Sequence, residues 1–102
     1  GMGMNFGIHD AVNLAEKLGA VLRGESGVEL LDRYDRQRRF VADAFLQAMT
    51  IQNKKLLEER DPERRRENQV SLRQTVGDPT RAHAFLMKTA MIEGVRAAAA
   101  IP

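Results

Sequence analysis

The sequence contains no cysteine, which excludes both disulfides and thiolate metal sites. A cysteine-free chain suits a reducing compartment, and the cytoplasm is the expected location. Nowhere does an apolar run approach the ~18 residues that a membrane-spanning helix requires. The first residues also lack the basic-then-apolar order of a secretory signal. Charge of one sign is missing too: 16 basic residues face 14 acidic ones, for a formal net charge of +2. That near-balance provides no global field to draw the chain onto nucleic acid or an anionic membrane. Strand-like alternation rich in β-branched residues is absent. With 102 residues, the chain is long enough for one domain with a modest core and too short for two.

What is present reads as helix almost throughout. A first helix is predicted from about Asn5 to Arg23, where Met4, just before it, Ile8, Val12, Ala15, Leu18 and Leu22 recur at spacings of three and four, lining one helical face. Leu14 and Val21 widen that face, so this helix is expected to be covered on more than one side. Gly24-Glu25-Ser26-Gly27 ends it. A long second helix is predicted from Val28 to Arg60, with Tyr34, Val41, Phe45, Met49 and Leu56 on its apolar stripe and no internal Pro or Gly. Asp61-Pro62 and Asp78-Pro79 each pair a good N-cap with a proline suited to the first helical position. They open a weakly apolar third helix that stops at Gly77, and a fourth carrying Phe85, Leu86, Met87, Met91, Ile92 and Val95. Gly94 lies inside that fourth helix and weakens it by roughly 1 kcal/mol relative to alanine. The fold class is therefore all-α, with about four helices, one of them long.

Charged and polar residues offer few sites. His9 and Asp10 are adjacent, but neighbours on a helix point about 100° apart and do not form a pair. His83 has no ligand partner at suitable spacing; no catalytic residue and no metal site are assigned. Arg64-Arg65-Arg66 sits among Glu58, Glu59, Asp61, Glu63 and Glu67, which marks a solvated, salt-bridged face, with no aromatic nearby to stack a base. Arg36, Arg38 and Arg39 are partly balanced by Asp32, Asp35 and Asp43 and are read as a polar face or an interface. Met87 and Met91 are read as core or interface filling.

The specific word is Gly3-Met4-Asn5-Phe6-Gly7-Ile8-His9-Asp10-Ala11-Val12-Asn13-Leu14-Ala15-Glu16-Lys17-Leu18. It resembles the Gly-Met-Asn…Gly-Ile-x-Asp-Ala…Asn-Leu segment of FAD-dependent aromatic-ring monooxygenases of the para-hydroxybenzoate hydroxylase type. Leu30-Leu31-Asp32-Arg33-Tyr34-Asp35-Arg36-Gln37-Arg38-Arg39 is similar to the family's Leu-Leu-x-x-Tyr-Glu-x-Glu-Arg-Arg stretch. Asp35 and Gln37 replace its two glutamates, Phe40 replaces a proline that often follows, and Glu16 replaces a usual tryptophan. The resemblance covers about the first forty residues. Gly1-Met2 is compatible with a start at Met2 or with a genuine Gly1-Met2-Gly3-Met4-Asn5 motif.

That resemblance implies residues 1–27 as the flavin-facing helix of an FAD-binding domain and residues 28–102 as a C-terminal helical region. It implies FAD as cofactor, NAD(P)H as hydride source and hydroxylation of an activated aromatic ring. Gly3, Met4 and Asn5 are the implied cofactor-binding residues. Gly3 and Gly7 lack a Cβ and permit close approach of a flat ligand. A helix N-terminus, with its partial positive charge, suits the anionic edge of a reduced flavin. The family's Gly-x-Gly-x-x-Gly turn has no match here, and its Gly-Asp segment just before the Gly-Met-Asn turn is absent. The expectation is a fragment of a larger α/β flavoprotein, inactive and unable to retain FAD alone. Its expected partners are the missing N-terminal FAD-binding and substrate domains or another copy of itself, as a homo-oligomer. The alternative is a catalytically dead helical module for oligomerisation or partner binding.

Overall fold

Apolar spacing and Asp-Pro punctuation yield an all-helical chain in the computed structural model, which describes residues 2–102. Gly1, and with it the choice between the two readings of the start, lies outside the described residues. Helix α1 spans Gly3–Leu22, α2 Leu30–Val41, α3 Gln47–Glu58, α4 Pro62–Gly77, α5 Pro79–Thr89 and α6 Ile92–Ala99. A π-helical segment, Ala42–Leu46, joins α2 to α3, so that one continuous helix runs from Leu30 to Glu58. Phe40, standing where the related motif often has proline, lets that helix continue.

Each boundary has a local cause. Gly24, at φ +72°, ends α1 in a left-handed residue. Its N–H reaches the Val21 carbonyl at 3.0 Å, and the Glu25 N–H reaches that of Ala20 at 2.9 Å, a Schellman closure. Asp61 caps α4 by accepting from the Glu63 N–H at 3.0 Å, and Asp78 caps α5 by accepting from Thr80 and Arg81. The π-helical turn has a packing role. Residues at i and i+4 drift around an α-helix, and the i→i+5 turn underwinds the chain enough to offset the drift. Val41, Phe45 and Met49 are thereby kept on one side, where Val41 and Met49 are buried and Phe45 packs against them.

Two expectations change. The predicted fourth helix is interrupted: the chain turns at Ala90 and Met91, where Met91 takes φ +61°, and α6 restarts at Ile92. The turn lets Met91 pack on the core and brings α6 back onto α2, with Ala98 buried beside Phe6, Val41 and Met49. The first helix is the second correction. Met4, Ile8, Val12, Leu18 and Leu22 do share a face, but it is exposed. A second stripe at the same spacing, Phe6, Asp10, Asn13 and Lys17, faces the rest of the chain, with Phe6 only 4% exposed.

The core is correspondingly small and lies at one end, where α1, α2, the π-helical segment and α6 meet. Helices α4 and α5 pack on one another and extend the molecule to 59 × 28 × 17 Å. Its radius of gyration of 17.6 Å exceeds the roughly 13 Å of a compact chain of this length. Helix α4 buries no residue at all. Among the described residues no helix is long and apolar enough to cross a membrane.

Candidate functional site

The site begins at the first turn of α1. Gly3, Met4 and Asn5 all lie there, exposed, and helix formation starts at Gly3 itself. Gly3 has no positive φ, so its value at this position is space and not backbone freedom. A Cβ placed on Gly3 or on Gly7 would meet nothing within 4 Å, which leaves this end of the helix open to a flat group. No side chain caps the turn, and its first residues include no carboxylate. The partial positive charge of the helix N-terminus is therefore unopposed by protein anions in that turn.

Phe6 fixes this turn in place. Directly after Asn5, it enters the core among Val41, Met49 and Ala98, with Met2, Phe45, Leu46 and Met91 around them. Farther along the same face, the Asp10 carboxylate accepts from Nε of Arg38, whose side chain is only 10% exposed. Asn13 donates from Nδ2 to Oε1 of Gln37 at 3.2 Å and accepts from Lys17 Nζ at 2.7 Å. Gln37, 2% exposed, donates in turn from Nε2 to the Ile101 carbonyl at 2.9 Å. Arg33 donates to the same carbonyl at 3.0 Å, and Arg36 donates to the Pro102 carbonyl. Burial pushes the Lys17 ammonium below its ordinary value of 10.5; Glu16 raises it, and Arg33 and Arg38 lower it further.

This polar seam clamps α1 to α2 and α2 to the end of α6. Of Arg36, Arg38 and Arg39, expected to form a polar face or interface, the first two bond within the seam, while Arg39 pairs with Asp35 at 2.8 Å on an exposed face. Phe6, Asn13, Lys17 and Gln37 were not singled out from the sequence. The signal for Phe6, Asn13 and Lys17 was the second four-three-four spacing on α1, hidden because most of its members are polar; Gln37, on α2, carried only its departure from the related motif's glutamate. His9 lies beside Arg38 at the edge of the Phe45–Met91 cluster, and His83 is exposed. Arg64 lies near Glu59 and Asp61, each at 3.8 Å, on an exposed face.

Known proteins match the same part of the chain. The FAD binding domain family matches residues 1–49. The N-terminal half is FAD-dependent aromatic monooxygenase-like. A 3-(3-hydroxy-phenyl)propionate/3-hydroxycinnamic acid hydroxylase of Mycolicibacterium smegmatis is 51% identical over 51 residues, 50% of this chain and 9% of that protein. A putative polyketide hydroxylase of Streptomyces coelicolor is 62% identical over 42 residues, 41% of this chain and 7% of that protein. An anhydrotetracycline monooxygenase of Streptomyces rimosus is 50% identical over 46 residues, 45% of this chain and 9% of that protein. The chain thus spans less than a tenth of the length of these relatives. No solved structure matches it.

Proposed function

We propose that this chain supplies the flavin-facing helix and the following helical region of an FAD-dependent, NAD(P)H-using monooxygenase that hydroxylates an aromatic substrate in the cytoplasm. The observation that carries this reading is the first turn of α1, where Gly3, Met4 and Asn5 form an exposed helix N-terminus with open space around Gly3 and Gly7. Those residues fit the anionic edge of a flavin. The glycines admit the flat ring, and first-turn N–H groups of Gly3, Met4 and Asn5 would donate to it. When bound, the flavin provides the redox chemistry linking reduced nicotinamide, oxygen and ring hydroxylation. The chain's own contribution is to bind and orient. Phe6 anchors the turn in the core, and the Asp10–Arg38 pair and Asn13–Gln37 bond hold α1 at a fixed angle on α2.

The nucleotide half of FAD has no Gly-x-Gly-x-x-Gly turn in this sequence, so the chain alone is expected to bind FAD weakly. Function is therefore tested in a chimera: residues 1–49 replace the matching segment of the Mycolicibacterium smegmatis hydroxylase. Retention of FAD through gel filtration and NAD(P)H-dependent hydroxylation of that enzyme's own substrate are expected. A soluble, helical chimera without flavin would refute the reading.

A second reading is supported by the exposed stripe of Met4, Ile8, Val12, Leu18 and Leu22. Such a face favours a partner, either the remaining domains of a flavoprotein or another copy of the chain. A helical oligomerisation module without catalysis would use the same stripe for self-association. Analytical ultracentrifugation of the chain with Val12→Glu beside the parent sequence distinguishes them. A dimer abolished by the substitution favours the module, and a chimera that retains flavin favours the enzyme.

A further inference from the structure

A second concavity lies between α3, α4 and α5, lined by no residue of α1 and mostly beyond the residues matched by the FAD binding domain family. Its volume is about 540 Å³, within the range of small-molecule sites. Met49 and Leu56, seven residues apart on one face of α3, line it together with Leu72 of α4 and Phe85 of α5. Leu56, Leu72 and Phe85 remain about half exposed although they converge on the same space. Side-chain amides, including those of Gln52 and Asn68, surround this apolar surface.

The charge of the lining is one-sided. Arg65 and Lys88 are its charged residues, and no carboxylate lines it. Three other cations of these helices lie beside carboxylates, Arg64 near Glu59 and Asp61, Lys54 near Glu58, and Arg81 near Asp78, while Arg66 and Arg73 do not. Neither Arg65 nor Lys88 has a carboxylate within ion-pair distance among the described residues. An apolar surface flanked by two unpaired cations and several amides complements a molecule with an apolar body and one anionic head.

We infer that the groove between α3, α4 and α5 binds an amphipathic carboxylate, its apolar body on Leu56, Leu72 and Phe85 and its carboxylate between Arg65 and Lys88. The ligand class follows from the lining alone and is independent of the flavin reading. A charge-assisted hydrogen bond from either cation makes the head group decisive, so a cationic amphiphile of equal length should bind far less well.

The test is a titration of the full ¹⁵N-labelled chain with decanoate, and separately with decylammonium, both below micelle formation. Saturable shifts at the Gln52 and Asn68 side-chain amides and at Leu72 are expected, with decanoate favoured by about tenfold or more. Arg65→Glu and Lys88→Glu should each weaken decanoate by about tenfold with circular dichroism unchanged, since both side chains are on the surface. Ile8→Lys, on the exposed stripe of α1, should leave the affinity unchanged. Equal affinity for the two amphiphiles would overturn the inference. So would shifts centred on Ile8 and Val12, no saturable binding, or decanoate excluded by a dimer that Leu72→Glu dissociates. If Arg65→Glu perturbs the helices, Arg65→Gln serves in its place, and unaltered decanoate affinity in that variant would equally refute the site.

Discussion

Gly94 of α6 packs against the ring of Phe45: a Cβ on Gly94 would sit 3.5 Å from Phe45 Cγ, at ordinary van der Waals contact. Gly94 is buried and helical, so neither positive φ nor a steric clash requires glycine there. Gly94→Ala should therefore add helix propensity and one methyl contact without displacing Phe45. The expected gain is about 0.5–1 kcal/mol, seen as a rise of a few degrees in the thermal midpoint. Gly94→Leu should do the opposite, because its branched end must enter the ring, at a cost of about 1–3 kcal/mol. A thermal melt of both variants checks the sign of each effect.

Gln37 stands where the related motif has glutamate, and its amide uses both ends: Oε1 accepts from Asn13 while Nε2 donates to the Ile101 carbonyl. A carboxylate can do only the first. Gln37→Glu would place a negative oxygen against that carbonyl in a position 2% exposed, with compensation available only from Lys17 and the nearby arginines. The expected loss is about 1–3 kcal/mol, with faster amide hydrogen exchange in α6. Lowering the pH protonates the introduced carboxyl and restores a donor, so the deficit should shrink in acid. A deficit that grows in acid would show that Lys17 pairs with the new group instead.

Lys17 gives a prediction at the other end of the pH scale. Burial lowers its folded-state pKa below 10.5, so the unfolded chain binds the proton more tightly. Protonated Lys17 thus costs stability at neutral pH, and the cost fades as pH rises from the lowered value toward 10.5. Lys17→Met keeps the aliphatic stem and removes the charge. The stability of Lys17→Met relative to the parent should fall as pH is raised from about 7 to about 10, whatever the Asn13 bond contributes. Urea titrations at several pH values read this slope directly, and a rising difference would contradict the assignment.

Helix starts were legible because their causes are local. Asp61-Pro62 and Asp78-Pro79 state the cap in two residues, and Gly24 states the left-handed stop. The break at Ala90-Met91 was not legible, because a methionine at φ +61° carries no local signal. Tertiary packing of Met91 and Ala98 onto the core imposes it. The same limit governs α1. Periodicity identified the stripe of Met4, Ile8 and Val12 but not which side meets this chain, since Phe6 supplies the burial and polar residues supply the rest. Of the site, Gly3, Met4 and Asn5 were legible through a sequence word. The Asn13–Gln37–Ile101 relay was not, because it joins residues 24 and 64 positions apart.

The last prediction separates the flavin role of Gly3 from any structural one. In the chain itself, a side chain at Gly3 meets open space, and the residue is helical with no positive φ. Gly3→Val should therefore fold with a stability change of only a few tenths of a kcal/mol, since valine has a slightly higher helix propensity than glycine and helix ends fray. In the chimera with the Mycolicibacterium smegmatis hydroxylase, the same branched side chain would occupy the space proposed for the flat ring. FAD content after gel filtration should drop sharply there, while circular dichroism retains its helical signal. His9→Ala in that chimera should leave FAD content unchanged, because His9 lies at the Arg38 edge of the core and not at the first turn. Full flavin occupancy in Gly3→Val would remove Gly3 from the site. Flavin lost from His9→Ala alone would move the site along α1, toward the face that Phe6 and Arg38 share.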